Sequence, residues 1–137
     1  AMVTGEKTSE DAQERLNAYK EALLECDMDI DESLIVYGDF SERSKKIIRK
    51  FMSAHPGIDA MVFANDAMAK CAYEVMDEMG LKVGQDIAFL GFDDIGDADV
   101  FVVATVNNPR VLPNSLLRSQ NSDKNLCNFR NMITGNP

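Results

Sequence analysis

With 137 residues, 45% of them hydrophobic and 27% charged, the chain has the composition of one soluble globular domain and is long enough to bury its own core. Fourteen basic against twenty-three acidic residues leave a net charge of −9. A duplex carrying one negative charge per roughly 1.7 Å of axis would repel such a surface, so the chain by itself is not expected to bind nucleic acid.

No apolar run approaches the roughly 20 residues of a membrane span, and no basic-then-apolar leader opens the chain. Ala1 ahead of Met2 reads as a tag remnant and is set aside. Cys26, Cys71 and Cys127 are an odd number, far apart, and His55 is the single histidine. A disulfide framework and a structural zinc site are therefore not expected, and reduced thiols in a cytoplasmic protein are.

The elements follow in a regular alternation. Met2 to Gly5 reads as the end of a strand. Thr8-Ser9-Glu10-Asp11 then offers a hydroxyl cap with an acid close behind, and Ala12, Leu16, Tyr19 and Leu23 form one apolar stripe on a helix ending near Cys26. Asp27 to Glu32 is an acidic loop. Leu34 to Tyr37, stopped by Gly38, reads as a strand buried on both faces.

Ser41 is expected to cap a second helix carrying Ile47, Ile48, Phe51 and Met52, ended by His55-Pro56-Gly57. Ala60 to Ala64 reads as a second buried strand. Asp66 is expected to cap a third helix with Met68, Ala72, Val75 and Met79 inward and Gly80 at its end. Ile87 to Gly91 is the next strand. Val36, Val62 and Phe89 are expected as central core residues, and the eight methionines as core filler. Short connections between alternating strands and helices predict right-handed crossovers onto a parallel sheet.

Beyond Gly91 the period fails. Phe101 to Val106 is a strand candidate, Asn107 to Asp123 is polar with Pro109 and Pro113, and Leu126, Phe129, Met132 and Ile133 suggest a terminal helix closed by Gly135.

In an open parallel sheet, ligands bind outside the carboxyl ends of the strands. Those ends are Gly38-Asp39-Phe40, Ala64-Asn65-Asp66 and Gly91-Phe92-Asp93-Asp94, with Arg15 on the first helix. A guanidinium fork, an amide, a carboxylate and an aromatic ring together suit a small polyhydroxylated or heterocyclic ligand. Each residue also has a plainer role. Arg15 could be a surface ion pair, Asn65 and Asp66 helix caps, Phe40 a packing staple, and Asp93 and Asp94 turn formers.

Other site types fit poorly. The phosphate-loop, dinucleotide, zinc-protease and nucleophile-elbow motifs do not occur. His55 lies in a helix-ending turn, and the aspartates at 93, 94, 97 and 99 lack the closing glutamate of a calcium loop. No metal, no cofactor and no catalytic residue is expected.

At the same strand ends the chain resembles the effector-binding domain of the lactose-repressor (LacI/GalR) family of bacterial transcription regulators. The matching pieces are Thr8 to Ala12 running to Arg15-Leu16-Asn17-Ala18-Tyr19; Gly38-Asp39-Phe40-Ser41; Phe63-Ala64-Asn65-Asp66-Ala67-Met68-Ala69; and Gly80 to Ala88 leading to Gly91-Phe92-Asp93-Asp94. The resemblance implies that Arg15, Phe40, Asn65 and Asp93 contact a sugar or nucleobase effector.

It also implies the fold class: a three-layer α/β/α lobe with a mainly parallel sheet, one half of a two-lobed periplasmic-binding-protein-like fold. Residues 2–106 would be the C-terminal lobe, and 107–137 a polar tail with a terminal helix. The N-terminal lobe and the DNA-binding headpiece would lie upstream of Met2. The implied protein is a non-enzymatic, cytoplasmic homodimer that meets DNA only through that headpiece and has no membrane contact. The same lobe serves periplasmic sugar-binding proteins and the sensors of signalling enzymes, which stand as the alternative parents. A phosphoacceptor receiver domain is a remote alternative, since it needs its acidic pair after the first strand.

Overall fold

Met2–Thr4 form the first strand, β1, and the later elements are laid out on either side of it. The computed structural model describes residues 1–92 and 104–105. After β1 come α1 (Glu10–Glu25), one 3-10 turn over Glu32–Leu34, and β2 (Ile35–Tyr37). Then follow α2 (Ser44–Ala54), β3 (Ala60–Phe63), α3 (Asp66–Met79), β4 (Ala88–Gly91) and β5 (Ala104–Thr105). Asp93, Asp94, the tail from 107 onward and the terminal helix expected in it lie outside the described residues.

The sheet order is β2-β1-β3-β4-β5, and all neighbours are parallel. Met2 stands opposite both Ile35 and Val62, Ala60 opposite Ala88, and Leu90 opposite Ala104. The chain leaves β1 towards β2, then crosses back over β1 to β3 and continues outward. Right-handed crossovers therefore put α1 on one face of the sheet and α2 with α3 on the other. There α2 packs on α3, and Lys45 bridges Glu74 at 2.6 Å and Glu78 at 3.2 Å. This is the expected α/β lobe, layered helix–sheet–helix.

The helix ends follow local chemistry. Ser9 caps α1, its Oγ accepting the Ala12 N–H at 3.3 Å. Gly80 closes α3 at φ +72°, a left-handed conformation that a Cβ would disfavour. Its N–H bonds the Asp77 carbonyl and the Leu81 N–H bonds Met76, so two of the orphan carbonyls are satisfied.

Two expected caps are corrected. Asn65, not Asp66, caps α3, its Oδ1 accepting the Met68 N–H at 3.0 Å, while Asp66 is the first helical residue and fully buried. The second helix begins at Ser44 rather than after Ser41. The stretch before it is a turn, in which the Ser41 Oγ accepts the Arg43 N–H at 3.2 Å.

Phe63 and Phe89 meet edge-on at the centre, with ring centroids 4.8 Å apart. Around them lie Val3, Ile48, Met61, Met68, Val75 and Met76, all fully buried. Met2, Met52, Met61, Met68 and Met76 do fill the core, but Met28 and Met79 are exposed. Met79 is in the last turn of α3, and Ile47 is turned off the buried face of α2 that carries Ile48, Phe51 and Met52. Of the three expected core residues only Phe89 is fully buried. Val36 is half-buried because β2 is an edge strand, which also corrects the expectation of cover on both faces. Val62 is half-buried while Met61 and Phe63 are buried, so the two faces of β3 are unequally covered by the described residues.

Candidate functional site

Connections leave β1 in one direction and arrive at β3 from the other, so the crevice between the carboxyl ends of β1 and β3 is the topological switch point. Gly5 follows β1 there, Ala64 and Asn65 follow β3, Gly38 to Phe40 follow β2, and Phe92 follows β4.

Arg15 reaches this edge from α1. The Thr4 hydroxyl donates to the Ala12 carbonyl at 3.1 Å, a buried bond that ties the first turn of the helix to the end of β1. One turn on, the Arg15 Nη1 donates to the carbonyl of Ala64 across the switch point. Its guanidinium carbon lies 4.0 Å from the centroid of the Phe92 ring, within cation–π range. Arg15 is half-buried at this junction of α1, β3 and β4, not a solvated surface charge.

Phe40 is placed by strain and by an absence. Its φ is +57°, a left-handed conformation unusual for a bulky residue. A Cβ on Gly5 would meet the Phe40 ring at 2.0 to 2.8 Å, so only glycine lets the ring lie against the end of β1. The turn that imposes this conformation is centred on Asp39. Its Oδ1 accepts the Ser41 N–H at 3.1 Å, the Ser41 hydroxyl at 2.8 Å and the Ser44 hydroxyl at 2.8 Å. These bonds, the Ser44 hydroxyl's first, hold the Asp39 carboxyl below its usual range. Ser44 is buried, and its Oγ accepts the Asp39 N–H at 3.1 Å, closing the loop. Gly38 is needed too, since a Cβ there would stand 2.6 Å from the Met68 sulfur.

Asn65 spends its carbonyl oxygen on the helix cap, which leaves two amide N–H donors at the carboxyl edge. The plain role and the functional one therefore coexist in one side chain.

Three of the four expected site residues, Arg15, Phe40 and Asn65, stand along one edge of the sheet; Asp93 lies outside the described residues. Sequence reasoning passed over Phe92, Gly5 and Ser44. Phe92 stood in the quoted strand end, and an arginine on the preceding helix layer was the signal for a ring partner. Gly5 carried no signal, because its role arises only from contact with a separate connection, whereas for Ser44 the signal was local, a serine five residues after Asp39 in the same connection. Lys7 adds a second cation–ring pair at this edge, its Nζ 4.5 Å from the Tyr37 centroid. Among the described residues no cluster of histidine, cysteine and carboxylates could hold a metal ion. None of their helices is long and apolar enough to cross a membrane.

A doubly wound parallel lobe with hydrogen-bonding and aromatic side chains along its carboxyl edge has the architecture of the open α/β folds that take ligands at that edge. Comparison with known proteins narrows the class. The periplasmic binding protein-like domain matches residues 1–107. The HTH-type transcriptional regulator CelR of Thermobifida fusca is 36% identical over 95 residues, covering 69% of this chain and 28% of that protein. The HTH-type transcriptional repressor PurR of Escherichia coli O1:K1 / APEC is 33% identical over 99 residues, covering 70% and 29%.

Among solved structures, a CelR–cellobiose complex aligns with a TM-score of 0.71 at 33% identity, over 76% of this chain and 33% of that one. A Lac repressor dimer bound to operator and an anti-inducer aligns with a TM-score of 0.66 at 29% identity, over 76% and 32%. The chain belongs to the periplasmic binding protein-like domain family, in the form found in LacI/GalR-type regulators. It spans less than a third of the length of the curated relatives named here.

Proposed function

We propose that this chain is the effector-binding lobe of a bacterial LacI/GalR-type transcription regulator, and that it binds a small sugar-like or nucleobase-like molecule without transforming it. The observation that carries the reading is Arg15, which crosses the switch point to the Ala64 carbonyl with its guanidinium laid on the Phe92 ring. Such a group offers a planar fork of donors to ligand oxygens. The Phe40 ring offers a flat apolar face, the Asn65 amide two more donors, and Asp93 an acceptor.

These groups suit reversible recognition. His55 ends α2, at the sheet edge opposite the crevice, and is hydrogen-bonded to the Phe51 carbonyl. In this reading residues 2–106 are the C-terminal lobe, 107–137 form a tail, and a second lobe outside this chain closes over the ligand. Closure shifts the population of a cytoplasmic dimer between DNA-competent and DNA-incompetent states, and DNA is met through a headpiece outside this chain.

The test is a reporter assay with the regulator that carries this segment. Arg15→Ala and Asp93→Ala should each abolish the effector response while repression and protein level persist. A normal response from both variants would reject the site.

A further inference from the structure

Arg15 is gripped from three elements. Its helix is tied to β1 by the buried bond from the Thr4 hydroxyl to Ala12. Its Nη1 donates to the carbonyl of Ala64, just past the end of β3. Its guanidinium lies over the ring of Phe92, just past the end of β4. Phe92 is itself held, because its carbonyl accepts the Asp66 N–H at 2.9 Å, which fastens the residue to the first turn of α3.

We propose that Phe92 is a positioning residue for ligand recognition: its ring holds the Arg15 guanidinium in the ligand-receiving pose before any ligand arrives. This rests on the reading of Arg15 as a ligand contact.

The physical case is one of lost freedom. A long side chain standing free at a helix surface gives up rotamer entropy when a ligand immobilises it, and affinity falls accordingly. Here the ring fixes the plane of the guanidinium, and the Ala64 carbonyl fixes its rotation within that plane. The direction of the whole fork is then set. The requirement on residue 92 is a flat face with negative charge density, which an aromatic ring supplies and an aliphatic side chain of similar size does not. A merely structural Phe92 would ask only for apolar volume. That difference makes the role testable.

The test uses the ligand-free 137-residue chain, isotopically labelled, and reads the Arg15 Nε–Hε resonance. In the wild type the ring current should displace this resonance from those of solvent-exposed arginines. Its order parameter should be near the roughly 0.85 of rigid backbone. Phe92→Leu should move the resonance to the ordinary arginine position and lower the order parameter below about 0.6, with the backbone spectra of β3 and β4 unchanged. Phe92→Tyr should restore both.

A mobile Arg15 in the wild type overturns the proposal, whether or not Phe92→Leu folds. So does a resonance that Phe92→Leu leaves in place. None of these readings needs a ligand, so they separate from the binding question. Ligand-induced shifts at a mobile Arg15 would keep the binding face and reject the positioning role. A rigid, ring-shifted Arg15 in a chain whose ligands map elsewhere would reject the binding face.

Discussion

Asp39 shows how one side chain can set the shape of the crevice. Three hydrogen bonds converge on one oxygen, and the product is the left-handed Phe40 that lays its ring on Gly5. Its carboxyl is held below the usual range, so the native state favours the charged form. That contribution is fully present above the unfolded value of about 3.9 and is lost as pH falls through the lower folded value. Asp39→Asn should therefore lower Tm at neutral pH, and the gap from wild type should narrow below about pH 4. Thermal melts whose gap stays constant down to the acid limit would show that the charge is not what holds the turn.

Asn65 permits a cleaner separation of structure from recognition. Asn65→Ala should cost about 1 kcal/mol through the lost cap, whereas Asn65→Asp keeps a capping oxygen and should cost less. Both remove the amide donors, so both should weaken ligand binding. Denaturant titration beside ligand titration checks the pair. Equal stability loss in the two variants would contradict the cap assignment.

At the scale of elements, the sheet places its load unevenly. Phe89→Ala should cost on the order of 3–5 kcal/mol, because its ring is fully buried against Phe63 in the middle of the sheet. Val36→Ala, on the half-covered edge strand β2, should cost about 1 kcal/mol or less, since little of its side chain leaves a cavity behind. Chemical denaturation of both variants decides it, and a Val36 loss equal to that of Phe89 would place β2 in the sheet interior.

The alternation of strands and helices was legible because Ser9, His55 and Gly80 punctuate apolar runs of the right period. Strand order was not. Leu34 to Tyr37 and Ala60 to Ala64 are equally apolar on paper, and only the direction of the crossovers makes one an edge and the other central. The exchanged cap at Asn65 and Asp66 has a similar origin. Both residue types cap helices, and the choice depends on where β3 ends.

At the scale of the whole molecule, the candidate site was readable to the extent that strand ends are readable. Arg15, Phe40 and Asn65 were expected at one edge and stand there. Of their supports, Gly5 and Phe92 stand 35 and 77 residues from the groups they hold, Phe40 and Arg15, distances no local pattern spans, whereas Ser44 holds Asp39 from five residues away. On the proposed two-lobe reading, the chain supplies one wall of the closed site. Each tenfold of affinity is about 1.4 kcal/mol, so losing one wall of a clamp moves binding by orders of magnitude.

The central claim is that the carboxyl edge of the sheet is the face that receives the effector. Its most direct test is a titration of the labelled 137-residue chain with a panel of mono- and disaccharides and of purine and pyrimidine bases, followed by amide shift mapping. Weak binding should shift the amides of Gly5, Arg15, Phe40, Ala64, Asn65 and Phe92, and leave those around the Lys45–Glu74 bridge unmoved. Shifts centred on the α2–α3 face, or no shift at the crevice with any member of the panel, would contradict the account.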